Sequence, residues 1–281
     1  MESYKEYLNS ALLAKCAYSN QEQLKMHDST DILNGVEPEF YSDSETGAYA
    51  FSILKEKTLC FVFRGTNDIK DAIVDLDVLR VPFFEGKKLS NIRVHGGFMR
   101  QFTALKESVL EKIFLYSNRN KINTIQFVGH SLGGALATLF AGYISKSFNT
   151  EKIKIICHTF GSPRVGNKAY ATWFQENGCS VARITNMKDP VSQMPISAYY
   201  QHVSDAICFN DDLSIKVVPD KQWYWRLMNF KMNVCKPVLE HSCDLYIERL
   251  MKLCTSEAEA KAKAEAKAEV EAKAKITILI E

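Results

Sequence analysis

The stretch TIQFVGHSLGGALATLF, residues 124–140, constrains the fold of this chain more than any other. A short apolar, β-prone run enters a turn built on Gly129, His130, Ser131, Leu132 and Gly133, and an alanine- and leucine-rich run leaves it. That is a strand, a sharp turn and a buried helix in 17 residues. The serine sits where the backbone must turn most tightly, and the glycines two residues to either side let strand and helix pass closely. The turn places Ser131 at a helix N-terminus, where free N–H groups favour developing negative charge. The G-x-S-x-G pattern is weak by itself and gains meaning from this strand–turn–helix context. Ser131 is therefore either a nucleophile or a small residue in a packing turn, and the rest of the chain must supply its partners.

The surrounding pattern repeats the alternation. GAYAFSILKEKTLCFVFRG (47–65) reads as a hairpin turning at Lys55–Lys57. A helix is expected from about Phe98 to Tyr116, with Phe102, Leu105, Val109 and Ile113 on one face. The run 132–148 is apolar on nearly every side and should be a deeply buried helix. KIKIICHTFG (152–161) and SVARITNM (180–187) are further strands, with a helix at 167–177 between them. Strand–helix–strand alternation implies an α/β fold, a largely parallel sheet covered by helices on both faces. At the N-terminus, Tyr4, Tyr7, Leu8, Ala11, Leu12 and Cys16 fall at helical spacing and predict an amphipathic helix packed on the body.

Nothing marks a boundary before residue 254, so residues 1–254 read as one domain. A tail over 255–281 differs in composition. Its alternating Ala, Lys and Glu imitate a strand, but these are strong helix formers, and Glu257–Lys261, Glu259–Lys263, Glu269–Lys273 and Glu271–Lys275 are favourable i,i+4 pairs. A solvated helix is expected, ending in an apolar ITILI.

Bulk properties exclude some classes. Of 281 residues 46% are hydrophobic, enough for a sizeable core. Lys+Arg number 35 and Asp+Glu 33, and this near balance offers nothing to a nucleic-acid partner. The N-terminus has no basic stretch leading into an apolar one, and no run approaches the roughly 18 apolar residues of a membrane span. The expected location is cytoplasmic or peripheral to a membrane. The eight cysteines are scattered without C-x-x-C pairs, so metal-site spacing is absent and reduced, mostly buried thiols are expected. Cys235 and Cys243 are close enough in sequence to bridge in an oxidising compartment.

A serine nucleophile needs a base, and the base an orienting carboxylate. In this architecture they follow in the order Ser, Asp/Glu, His. In VARITNMKDPVSQMP a strand ends near Asn186 and Asp189 sits in the following loop, at the sheet edge where sites form. Asp205, Asp211, Asp212 and Asp220 have no preceding strand of that quality and read as solvated loop acids. Of the histidines after Ser131, His158 lies inside a strand and reads as core. His202 and His241 compete for the base. His241 is favoured, because it stands in a late loop leading into a final amphipathic helix and can reach over both partners. The tetrahedral oxyanion needs two donors: the N–H of Leu132, after the nucleophile, and one from the loop closing CFVFRGT, at Thr66. Arg64 is expected to pair with a carboxylate as scaffold.

With FVFRGTND, VHGGF, GHSLGGALA, TFGSPRVGN, DPVSQMP and EHSCDLYI in this order, the chain resembles the class 3 lipases, the fungal triacylglycerol lipase-like branch of the α/β-hydrolase fold. The resemblance runs from about Met1 to Leu253. It implies a serine carboxylic-ester hydrolase acting on lipid esters, with Ser131 as nucleophile, Asp189 as acid, His241 as base, Thr66 and Leu132 as oxyanion donors, and no metal or organic cofactor; the alternatives are a soluble-ester esterase or acyltransferase on the same site, or a catalytically silent lipid-binding protein. His202 matches a histidine that stands beside the site without serving as base. The implied partners are a lipid ester and, transiently, a membrane or lipid-droplet surface. A helix is implied over 67–79, either a lid or a fixed surface helix, where Ile69, Ala72, Ile73, Leu76 and Leu79 make an apolar stripe. KQWYWRLMNFKM (221–232) places aromatics among basic residues, suited either to a headgroup boundary or to an acyl pocket.

Overall fold

The expected hairpin at residues 47–65 forms β2 (Ala48–Lys55) and β3 (Thr58–Phe63), with Glu56 turning at φ 54° between them. In the computed structural model the described residues are 4–26, 32–33, 35–66, 79–86, 89–119, 121–147, 152–177, 179–195, 198–220 and 239–258. The lid segment with Ile69, Ile73 and Leu76, the aromatic segment 221–232, Cys235 and the tail beyond 258 lie outside them.

Among the described residues eight strands form one sheet: β1 (Glu39–Asp43), β2, β3, β6 (Thr124–His130), β7 (Lys154–Phe160), β8 (Ser180–Asn186), β9 (Ala206–Phe209) and β10 (Ile215–Val218), adjacent in that order. The centre, β3 to β9, is parallel, and the two ends are antiparallel. A separate ribbon pairs β4 (Arg80–Pro82) with β5 (Arg93–His95). Helices α1 (Tyr4–Cys16) and α2 (Gln21–Met26) precede the sheet, and α3 (Gly96–Ser117), α4 (Leu132–Ser147) and α5 (Lys168–Glu176) lie between strands. A last helix, α6, runs over 243–258.

Both faces of the sheet are covered, as the alternation requires. On one, α3, α4 and α5 bury Phe102, Leu105, Val109, Leu136, Phe140 and Trp173 against Phe61, Phe63 and Phe127. Phe140 stacks on Phe63 at 4.9 Å and meets Phe102 at 4.6 Å. Each such ring contributes about 1.5–3 kcal/mol by leaving water. On the other face α1 and α6 pack Tyr7, Ala11, Leu13, Ala14, Tyr246 and Leu250 over Phe51, Val62, Val128, Phe160 and Ile184. The buried side of α1 thus falls on Leu13 where the spacing argument chose Leu12, which is only half-buried. Ser10 lies there as well, because His158 on β7 and Gln126 on β6 present a polar spot to the helix: Ser10 Oγ is 2.8 Å from His158 Nδ1. His158 is a core histidine, as read.

Among the described residues Cys60, Cys157, Cys179, Cys243 and Cys254 are free thiols. Cys243 is sunk between α6 and α1, its Sγ 3.8 Å from the Ala11 carbonyl, and burial pushes its thiol up to about 12.

Registers decide where the chemistry can be. In the parallel ladders Phe63 lies opposite Gly129, His130 opposite Phe160, and Phe160 opposite Ile184. Four strands therefore end together. The residues after them, 64–66, 131, 161 and 187–189, emerge along one edge of the sheet, where sites gather in open parallel sheets.

Candidate active site

The turn after β6 is closed by contact. A Cβ on Gly129 would stand 2.2 Å from the carbonyl of Gly133, and one on Gly133 would stand 2.1 Å from the carbonyl oxygen of Phe63. Neither position can carry a side chain while β6, α4 and β3 hold these distances. Ser131 has φ 59°, left-handed backbone that costs a non-glycine residue about 1–3 kcal/mol. The ladder holds it there: Ser131 N–H donates to Phe160 O at 2.9 Å, and Gly134 N–H donates to Ser131 O at 2.9 Å. Leu132 opens α4. A Cβ on Gly65 would stand 3.1 Å from that of Ser131, so the loop carrying Thr66 lies against the nucleophile.

Asp189 and His241 meet. His241 Nδ1 is 3.0 Å and 2.9 Å from the two Asp189 carboxylate oxygens, and both residues are fully buried. A carboxylate only accepts, so Nδ1 carries the proton and Nε2 is left as the basic nitrogen. Among the described residues neither His241 Nε2 nor Ser131 Oγ has a hydrogen-bond partner.

The carboxylate is held from several sides. Val191 and Ser192 donate backbone N–H bonds to Oδ1 at 2.8 Å and 3.4 Å, and the Tyr246 hydroxyl donates to Oδ2 at 2.6 Å. Tyr246 in turn accepts the Asn186 N–H at 3.0 Å. The base loop is held by its carbonyls: Asn186 Nδ2 donates to Glu240 O at 2.7 Å, and His130 Nε2 donates to His241 O at 2.7 Å. Sequence reasoning did not find Tyr246 or Asn186. It also missed Gly161, at φ 59°, where a Cβ would stand 2.5 Å from Asp189 Oδ2 and 3.0 Å from His241 Nδ1. The position after β7 had the signal, a glycine at the end of an apolar strand.

His202 serves the acid loop. Its Nε2 donates to Ser192 O at 2.8 Å, and its backbone N–H donates to Asp220 at 2.9 Å. Burial first, then the nearby Arg183 charge, hold its pKa well below 6.5, so it stays neutral. Asp220 corrects an expectation. It follows β10, just as Asp211 and Asp212 follow β9, and it is not a solvated acid. Its Oδ1 pairs with Arg164 Nη2 at 3.0 Å. Burial works to raise its pKa, but the Arg164 charge and the hydrogen bonds from Arg164 and the His202 N–H prevail and leave it at about 2. Arg164 also binds the carbonyls of Gln193 and Pro195 and, through its backbone, Met194. This buried ion pair thus pins the loop beyond Asp189. Asp205, Asp211 and Asp212 are exposed, as expected. Arg64 lies over the Tyr49 ring, 4.5 Å from its centre.

Comparison with known proteins points to one family. Residues 60–199 match the family model of the class 3 lipases. The chain is 28% identical over 159 residues to a lipase of Rhizomucor miehei, covering 56% of this chain and 43% of that one. It is 30% identical over 186 residues to the secreted mono- and diacylglycerol lipase 2 of Gibberella zeae, covering 57% and 45%. The matches therefore span less than half the length of these relatives. Among solved structures, a triacylglycerol lipase whose catalytic centre is formed by a serine protease triad superposes with a TM-score of 0.70 at 23% identity, over 84% of this chain and 92% of that one. At that identity the likeness establishes the α/β-hydrolase fold. Family match and fungal relatives together place the matched residues 60–199 in the class 3 lipase family.

Proposed function

We propose that the protein is a serine carboxylic-ester hydrolase acting on lipid esters, acylglycerols or phospholipids, through an acyl-enzyme. One observation carries this reading: a buried His241 bound to Asp189 through Nδ1, with its Nε2 and the hydroxyl of an elbow serine both left without partners.

Ser131 Oγ attacks the ester carbonyl while His241 Nε2 takes its proton. Asp189 keeps the imidazole in the required tautomer and stabilises its cation. The oxyanion forms beside the N–H groups of Leu132 and Thr66, each donor worth about 10²–10³ in rate. The imidazolium protonates the leaving alcohol, and water, activated by the same nitrogen, releases the acid and restores Ser131.

The lipid assignment is supported by the names of the relatives, a triacylglycerol lipase and a mono- and diacylglycerol lipase among them. The test is hydrolysis of a chain-length series of esters, dissolved and emulsified, by wild type and Ser131→Ala. Preference for long chains, a rise in rate at the interface and a dead variant support lipid hydrolysis. Short soluble esters turned over best, with no rise, would make the protein a soluble-ester esterase.

A further inference from the structure

Helix α1 lies outside the matched residues 60–199, yet the segment just after it reaches the site. Tyr18 follows α1, held by N–H bonding to Lys15 O at 3.1 Å. Its hydroxyl is 2.8 Å from His130 Nδ1, and the same oxygen takes a backbone hydrogen bond from Gly65, the residue before Thr66. The other nitrogen of His130 is 2.7 Å from the carbonyl oxygen of His241, and the two imidazoles lie 4.6 Å apart at 32°. His130 is therefore between the nucleophile, its chain neighbour, and the base, whose backbone it holds.

The proton pattern follows from the partners. A carbonyl only accepts, so Nε2 of His130 must carry hydrogen. Burial first, then the nearby His241, keep the pKa of His130 well below 6.5, so the ring is neutral and Nδ1 is an acceptor. The hydroxyl of Tyr18 must then be the donor. Without that donor only the His241 carbonyl still favours hydrogen on Nε2; in the other tautomer a bare Nε2 lone pair would face that carbonyl at 2.7 Å. Two facing acceptors repel, and the loop carrying the base would move.

We propose that Tyr18 and His130 form a positioning pair: the Tyr18 hydroxyl locks the His130 tautomer, and the locked ring fixes the His241 backbone, while Gly65 ties the oxyanion loop to the same hydroxyl. This rests on the reading of Ser131, Asp189 and His241 as an ester-hydrolysing triad. Tyr18 is not a catalytic residue, since it acts only through His130 and the loop.

The test compares wild type, Tyr18→Phe, His130→Gln, His130→Met and Ser131→Ala on one soluble ester, with Tm for each. Histidine ring ¹⁵N spectra are recorded for wild type and Tyr18→Phe. Tyr18→Phe should lower kcat on the order of 10-fold, with KM within about twofold, because positioning is lost while the substrate surface is kept. The His130 signals should shift from a pure Nε2–H pattern towards the other tautomer. His130→Gln keeps a donor for the carbonyl and should retain several-fold more kcat than His130→Met. Wild-type kcat in Tyr18→Phe, an unchanged tautomer, or equal loss in the Gln and Met variants would overturn the pairing. Should Tyr18→Phe fail to fold, the Gln and Met comparison decides alone. An active wild type with a dead Ser131→Ala keeps the ester-hydrolase reading whichever way the pairing falls, whereas an active Ser131→Ala would remove that reading first.

Discussion

The two halves of the candidate site are built differently. Around Asp189 both carboxylate oxygens are bound: four donors reach them, and Arg164, Asp220 and His202 brace the loop beyond. Around Ser131 the backbone is held as firmly, but Ser131 Oγ and His241 Nε2 are unbound. Buried polar groups left without partners cost about 1–3 kcal/mol each. The acid side spends its interactions on stability, and the nucleophile side withholds two of them for a substrate. Substitutions on the two sides should therefore fail in different ways.

Ser131→Ala should show the largest effect, and on activity alone. Ester hydrolysis should fall by about 10⁴-fold or more, with Tm unchanged or raised, because the lost hydroxyl had no partner. Parallel kinetics and calorimetry check this; a large fall in Tm would blur the contrast. Arg164→Met should do the reverse. It leaves Asp220 buried without its cation, at a cost of about 3–5 kcal/mol in denaturant unfolding, and activity should fall mainly as folded protein is lost. Tyr246→Phe lies between. It takes one charged hydrogen bond from Asp189, worth about 1.5–3 kcal/mol, and kcat should drop on the order of 10-fold with KM little changed.

The smallest effect is the response to acid. His130 on the nucleophile side and His202 on the acid side are both held neutral, with pKa values below the ordinary 6.5. Below that pH the unfolded chain binds protons that the folded one does not, so stability present above it is lost on acidification. Each histidine adds about 1.4 kcal/mol per pH unit to the slope. His130→Gln and His202→Gln should each remove one such increment from unfolding curves between pH 6.5 and 5. Equal slopes in wild type and variants would mean that one of these rings is charged in the fold.

Sequence and structure parted along similar lines. The elbow, the hairpin and the central strands were legible because each is local: glycines at fixed offsets, an apolar run, a helix period. Asp189 and His241 were legible because chain order restricts the choice. The supports were not. Tyr246 and Asn186 lie in a helix and at a strand end that read as ordinary core, and only the crossing of α6 over β8 brings them together. Asp220 looked solvated because its partner, Arg164, is far away in sequence and neither residue carries a local signal. Leu12 and Leu13 differ by one position on α1, a helix rotation of about 100° that apolar spacing alone does not fix. Edge strands β1 and β10 are short and flanked by acids, so their alternation was too brief to read.

The most direct test of the central claim is covalent capture. Wild type and Ser131→Ala are treated with a fluorophosphonate, and the adduct is located by peptide mass spectrometry while ester hydrolysis is followed in parallel. One adduct on the peptide holding Ser131, lost hydrolysis in step with labelling, and no adduct in Ser131→Ala are the predicted result. Hydrolysis that survives full labelling, or an adduct of equal yield in Ser131→Ala, would contradict it.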